Sequence, residues 1–164
     1  VLVKDEILTK VETDSKFIDK VVDRVVSEYT GNLGSYVESI KNFLEEGVEE
    51  VTTQDLNNMS LRVASYLFFL SSNMEKVGIR ASVASALHDE KYNNAYMELT
   101  TGTIADKQAK ATNAVKEEEV VTIIFEKSYK ILKNRYSATE KLVDCIRKVI
   151  SARMSEAELS RKAN

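Results

Sequence analysis

No proline occurs anywhere in these 164 residues. Proline is the residue that most reliably ends a helix, because it lacks a backbone N–H and its ring clashes with the preceding turn. Two stretches, Thr53 to Thr101 and Thr103 to about Met154, keep a helical pattern and are divided only by Thr100-Thr101-Gly102-Thr103. Gly78 costs about 1 kcal/mol against alanine and does not need to stop a helix. At a rise of about 1.5 Å per residue, each stretch spans roughly 70–80 Å. A connection this short makes neighbouring helices antiparallel. The expected fold is all-α: a long antiparallel helical hairpin, preceded by a short acidic two-helix arm.

The arm is read from residues 1–51. Phe17, Ile18, Val21, Val22, Val25, Val26 and Tyr29 recur at helical spacing and predict a helix over 14–29, capped by Asp14 or Ser15. Gly31, Asn32 and Gly34 end or bend it. A second helix is expected over 35–46 through Tyr36, Val37, Ile40, Phe43 and Leu44, closed by Gly47. Residues 48–53 read as a linker leading to a helix cap. The hairpin occupies 52–155 and a polar tail 156–164.

Within the third helix Leu56, Val63, Leu70, Val77 and Ala84 recur every seven residues, as do Ser60, Leu67, Met74 and Ala81, with His88 continuing the second series. Two such columns make a seam for helix pairing. A histidine on an apolar stripe reads as a satisfied core residue. The small side chains from Ala81 to Ala86 suit close approach by another helix. At the turn, Gly102 suits a left-handed helix end. Thr103 and Asp106 stand at capping-box spacing, with Asp in place of the usual Glu or Gln.

The fourth helix carries four adjacent columns: Ile124-Ile131-Ala138-Cys145, Phe125-Leu132-Thr139-Ile146, Val121-Ser128-Arg135-Leu142-Val149 and Thr122-Tyr129-Tyr136-Val143-Ile150. Together they cover roughly 160°, more than one partner helix covers. The surplus should pack on the arm or on another subunit, so a homo-oligomer is expected. Its interface would use Ile131, Arg135, Leu142, Ile146 and Val149. Arg135 in such a column calls for a carboxylate partner from another helix, most simply from the arm.

Charge is unevenly spread. Residues 1–51 carry six Lys/Arg against twelve Asp/Glu, and residues 127–153 carry eight against two. The basic end asks for an anionic partner, or for the acidic arm itself. Lys127, Lys130, Lys141, Arg147 and Lys148 recur along the polar side of one helix, a pattern suited to a phosphodiester backbone. Stacking on bases needs aromatics beside the cations, and Tyr92 and Tyr96, next to Lys91, are the candidates. Glu126, Glu140 and Asp144 interleave the cations and oppose this field. Other chemistry finds no support. There is one histidine, no glycine-rich phosphate loop, no His-Glu-x-x-His and no serine elbow. Glu117-Glu118-Glu119 and the Glu45-Glu46 and Glu49-Glu50 pairs lack the Glu-x-x-His partners of a di-iron bundle. No enzymatic activity, cofactor or metal is expected. Cys145, alone in an apolar column, reads as a small core residue. The longest uncharged stretch, Val63 to Met74, is 12 residues, short of the ~20 a membrane span needs. Val1-Leu2-Val3-Lys4-Asp5 shows no secretory signal, and one cysteine fits a reducing cytoplasm.

From Ala64 to Arg153 the layout resembles phage recombination-mediator proteins of the UvsY type. The similarity rests on Lys91-Tyr92-Asn93-Asn94-Ala95-Tyr96 before a Thr/Gly turn, the Thr-x-Ala-Asp-Lys start at Thr103 to Lys107, and a following helix with Lys130, Arg135 and Ala138. The family's Lys-x-Arg pair before the turn is replaced here by Asn94-Ala95-Tyr96 and is not carried over, and the arm has no counterpart. The resemblance implies a small helical oligomer that binds single-stranded DNA and helps load a recombinase. The expected function is therefore a non-enzymatic, phage-type accessory protein that binds single-stranded nucleic acid in recombination or replication. The alternative is a structural or adaptor protein acting by homo-oligomerisation and protein contact.

Overall fold

A computed structural model describes residues 2–45 and 47–163, with the side chains of residues 2–5, 48 and 163 left aside. The expectations about Val1 and a helix end at Glu46 lie outside the described residues. The fold is all-α, with no strand among the described residues. In chain order the elements are α1 (Leu2–Thr30), α2 (Leu33–Glu45), a 3-10 turn (Val48–Glu50), α3 (Thr53–Glu98), α4 (Ile104–Ala114) and α5 (Lys116–Ala163).

Several boundaries differ from the sequence reading. Helix α1 begins well before Asp14, so neither Asp14 nor Ser15 is a cap; Ser15 Oγ instead donates back to the Glu12 carbonyl at 3.2 Å. Ile7 and Val11 already stand in phase with Ile18 and Val22, but the dense charges between them hid the pattern. Gly31, at φ +55°, follows the last residue of α1 as a left-handed helix end, whereas Gly34 lies inside α2. Thr52 caps α3: the Asp55 N–H donates to Thr52 Oγ1 at 3.1 Å. The capping box at Thr103 forms in both halves, Asp106 N to Thr103 Oγ1 at 3.2 Å and Thr103 N to Asp106 Oδ2 at 3.2 Å. The Thr103 hydroxyl, which donates to Asp106 Oδ2 at 2.7 Å, and then the Thr103 N–H hold the Asp106 carboxyl below its ordinary range. Gly102 has φ +106° but does not itself end α3, which stops four residues earlier at Glu98.

The helix expected from Thr103 to Met154 is broken at Val115. Its φ of −111° and ψ of 12° are non-helical, and its N–H donates to the Thr112 carbonyl at 3.3 Å. Val115 is fully buried, so packing holds a break that no glycine or proline announces. Past Met154 the helix continues to Ala163, and residues 156–162 of the polar tail are exposed on it.

By contact the chain divides into two compact units that cut across the arm and the hairpin, Val1–Glu28 with Met74–Ile131, and Tyr29–Asn73 with Leu132–Asn164. In the first, Lys91 Nζ meets Glu118 Oε1 at 2.6 Å and Gly78 lies against the Tyr129 ring, so α3 and α5 run antiparallel. Val22, Val26, Val77, Ala81, Ala84, Ala111, Val115 and Ile124 are buried there.

The second unit is a three-helix arrangement. Ile40 of α2, Val63 and Leu67 of α3, and Val143 of α5 form one core cluster; Val51, Leu56 and Ile146 form the next. Tyr36 and Tyr66 pack with ring centroids 5.5 Å apart. Asn73 Nδ2 donates to the Tyr29 carbonyl at 3.3 Å, and Arg153 donates to the Val51 carbonyl. These pairs place α2 antiparallel to α3 and parallel to α5.

The heptad columns of α3 are the buried ones, from Leu56, Val63, Leu70 and Val77 to Ala84. On α5 the columns drift. At about 100° per residue a seven-residue step falls roughly 20° short of two turns, so a straight helix carries each column steadily around its axis. The Ile124 column starts buried and ends exposed at Cys145, correcting the reading of Cys145 as a core residue. The Thr122 column, turning in the same sense from the opposite flank, becomes core at Val143.

Candidate functional site

All the α5 cations singled out above are exposed, Lys127 and Lys130 in the first unit and Lys141, Arg147 and Lys148 in the second. In the second unit the buried residues Leu132, Thr139, Val143 and Ile146 mark the core side of α5. At about 100° per residue, Lys141 and Lys148 point roughly opposite to it. They are one heptad apart, about 10 Å along the axis. Among the described residues neither has a carboxylate within 4.0 Å. Lys127 and Lys130 are unpaired in the same sense. Arg147 differs, since Asp144 lies 3.8 Å from its Nη1.

The aromatic pair behaves differently from its neighbouring cation. Tyr92 and Tyr96 are half-buried, with rings only 16° from parallel and centroids 6.5 Å apart. Lys91 is engaged in its bond to Glu118, so its charge is spent on joining α3 to α5 and is not free for phosphate. That bond, followed by a backbone hydrogen bond at Glu118 itself, holds the Glu118 carboxyl below its ordinary range. The second oxygen, Oε2, is buried without a hydrogen-bond partner. His88 is half-buried and satisfied by Asp89, Nδ1 to Oδ1 at 3.0 Å.

The residues expected at an oligomer interface are largely used within the chain. Ile146 is 3 % exposed and packs with Val51 and Leu56, while Leu142 and Val149 pack around them. The arm thus covers the width of α5 that one partner helix leaves bare. Ile131 is half-buried. Arg135 does find its partner in the arm, but that partner is a hydroxyl: Nη1 donates to Thr30 Oγ1 at 3.3 Å. The expected carboxylate is absent there because α1 ends in an uncharged turn, Tyr29-Thr30-Gly31, at that level.

Two features escaped the sequence reading. Phe68 and Phe69 are 74 % and 66 % exposed and Leu61 is 69 % exposed, all on α3. Both heptad columns of α3 skip these positions, and two adjacent phenylalanines cannot both face one seam; that signal was available. Phe68 also lines an open groove of about 570 Å³ between α3 and α5, with Ala64, Leu67, Ser71, Tyr136, Glu140 and Arg147 among its walls. Burial, reinforced by Glu140, raises the Tyr136 phenol above its ordinary value.

No protein-family profile, curated protein or solved structure matches this chain. Among the described residues no three His, Cys, Asp or Glu side chains are grouped to hold a metal ion, and no helix is long and apolar enough to cross a membrane.

Proposed function

We propose that this protein binds single-stranded nucleic acid, without catalysing a reaction, and serves as an accessory factor in recombination or replication. The observation that carries this reading is the pair Lys141 and Lys148, exposed on the side of α5 away from the core and, among the described residues, without a carboxylate partner. Contacts to phosphate need charge and little geometry, and unpaired cations on a rigid helix supply that. The acidic residues Glu49 and Glu50 belong to the same unit and are exposed. They act as a competing anion within the chain.

The test is fluorescence anisotropy of a labelled single-stranded oligonucleotide across a salt series. Lys141→Glu with Lys148→Glu should lower the slope of log affinity against log salt by about 1.4, roughly 0.7 for each phosphate of a single strand that is no longer neutralised. Glu49→Gln with Glu50→Gln should tighten binding, most clearly at low salt. Absence of binding by every variant at low ionic strength rejects this reading.

A second reading is favoured by its own observation. Leu61, Phe68 and Phe69, each about two-thirds exposed or more, form an apolar patch on α3, and such patches mark interaction surfaces. On this reading the chain is a structural or adaptor protein that acts by self-association.

A further inference from the structure

We infer that the α3–α5 groove in the unit Tyr29–Asn73 with Leu132–Asn164 is a two-fold interface, and that its occupant is the same groove of a second copy. This rests on the second reading above, that the chain self-associates, and it names the surface.

The argument begins with the side-chain sizes along the outer side of α3. Leu61 and Phe68 are large and exposed, and Ala64, Ser65, Ser71 and Ser72 around them are small. The Ser65 hydroxyl donates to the Leu61 carbonyl at 3.2 Å, which turns its polar atom back into its own helix. Laid antiparallel on itself about a point near residue 66, this face sets Phe68 over Ala64 and Leu61 over Ser71 of the other copy. Both contacts occur twice. Large side chains then enter spaces left by small ones, the condition for close packing between helices.

Charge on α5 gives an independent centre. Glu140 and Arg147 both line the groove, and a two-fold axis midway between them pairs Glu140 of each copy with Arg147 of the other. Its midpoint lies between residues 143 and 144. Within this unit Val143 shares a core cluster with Leu67. The self-complementary point of α5 therefore lies at the same level as that of α3. One axis, perpendicular to both helices, satisfies the apolar and the ionic pairing together. An isologous interface requires such self-complementarity, and an unrelated partner has no reason to produce it. Nucleic acid is not favoured in this groove, because Glu140 and Asp144 balance Lys141 and Arg147 among its walls and leave no net positive charge there. Lys148 remains on the far side of α5 from the core.

The test uses the full chain and light scattering after gel filtration over a range of concentrations. The wild type should be a dimer. Leu61→Ser with Phe68→Ser should weaken dimerisation about tenfold or more, as removal of central apolar anchors does, with helical content unchanged by circular dichroism. Glu140→Arg alone and Arg147→Glu alone should each favour the monomer, because each sets like charges against one another at both ends of the axis. Mixing these two variants should restore a dimer containing one copy of each, an outcome that damage to the fold does not produce. A dimer that persists in Glu140→Arg and in the Leu61/Phe68 variant overturns the surface while leaving self-association standing. A wild type that stays monomeric overturns both, including the case in which the Leu61/Phe68 variant loses oligonucleotide binding, which would reassign Phe68 to base stacking. Failure of the mixture to form the mixed dimer also overturns the pairing.

Discussion

Gly78→Ala sets two opposing effects against each other at one atom. Gly78 lies inside α3, where alanine in place of glycine gains about 1 kcal/mol of helix propensity. An added Cβ, however, would stand 3.0 Å from Tyr129 Cε2, 3.3 Å from Cδ2 and 3.5 Å from Cζ. Three ring atoms meet it together, so the whole edge of the ring must shift. Forcing a methyl into such a space costs typically about 1–3 kcal/mol. Gly78→Ala should therefore range from neutral to about 2 kcal/mol destabilising. In a Tyr129→Ala background the ring is gone, and the same change should stabilise by about 1 kcal/mol. The expected coupling is thus about 1–3 kcal/mol, within the range that double-mutant cycles resolve. Urea unfolding of the four proteins, followed by far-UV circular dichroism, measures it. If Gly78→Ala stabilises equally in both backgrounds, Gly78 does not serve the close approach of Tyr129.

Two further predictions follow from burial and from charge. Ile146→Asp should lower the melting temperature sharply without changing the mass in solution, because Ile146 packs on Val51 and Leu56 of its own chain; a change of mass with an unchanged melting temperature would return it to an interface. The Glu118 carboxyl, lowered from its ordinary 4.5 chiefly by Lys91, contributes stability that is present above that value and lost as the pH falls through its lowered one; the stability deficit of Glu118→Gln against wild type, read by urea unfolding, should therefore shrink below about pH 4.5, and a constant deficit would refute the ion pair.

The elements that local chemistry determines were legible in the sequence. The Thr103–Asp106 box, the seam from Leu56 to Ala84 and the helix end at Gly31 each depend on residues a few positions apart, and each appears as expected. What was misread needed more than the helical spacing. No glycine or proline marks the break at Val115; Asn113 and the acidic first turn Glu117-Glu118-Glu119 are its local signals, and they were read as part of one helix. Cys145 was misread for a related reason. A strict seven-residue column stays on one side only if the helix supercoils around a partner, and in this helix the column rotates out of the core.

The four columns expected to form one broad apolar face on α5 do not stay together, since Val121, Ala138 and Cys145 are exposed, and breadth alone does not name what covers the rest. Ile40, Leu44 and Val51 pack around Val143, Leu142 and Ile146, so the arm consumes the surplus. This changes how the acidic arm can be tested. Removing residues 1–51 would strip Ile40 and Val51 from the core as well as the negative charge from the surface, so altered nucleic-acid affinity would follow from unfolding as readily as from relief of competition. Neutralising Glu49 and Glu50 separates the two, because both are exposed and neither belongs to a core cluster. It also moves the question of self-association. With the α5 face occupied by the arm, a second copy needs another apolar surface. Phe68 and Leu61 supply one on the outer side of α3, where neither heptad column required a large side chain.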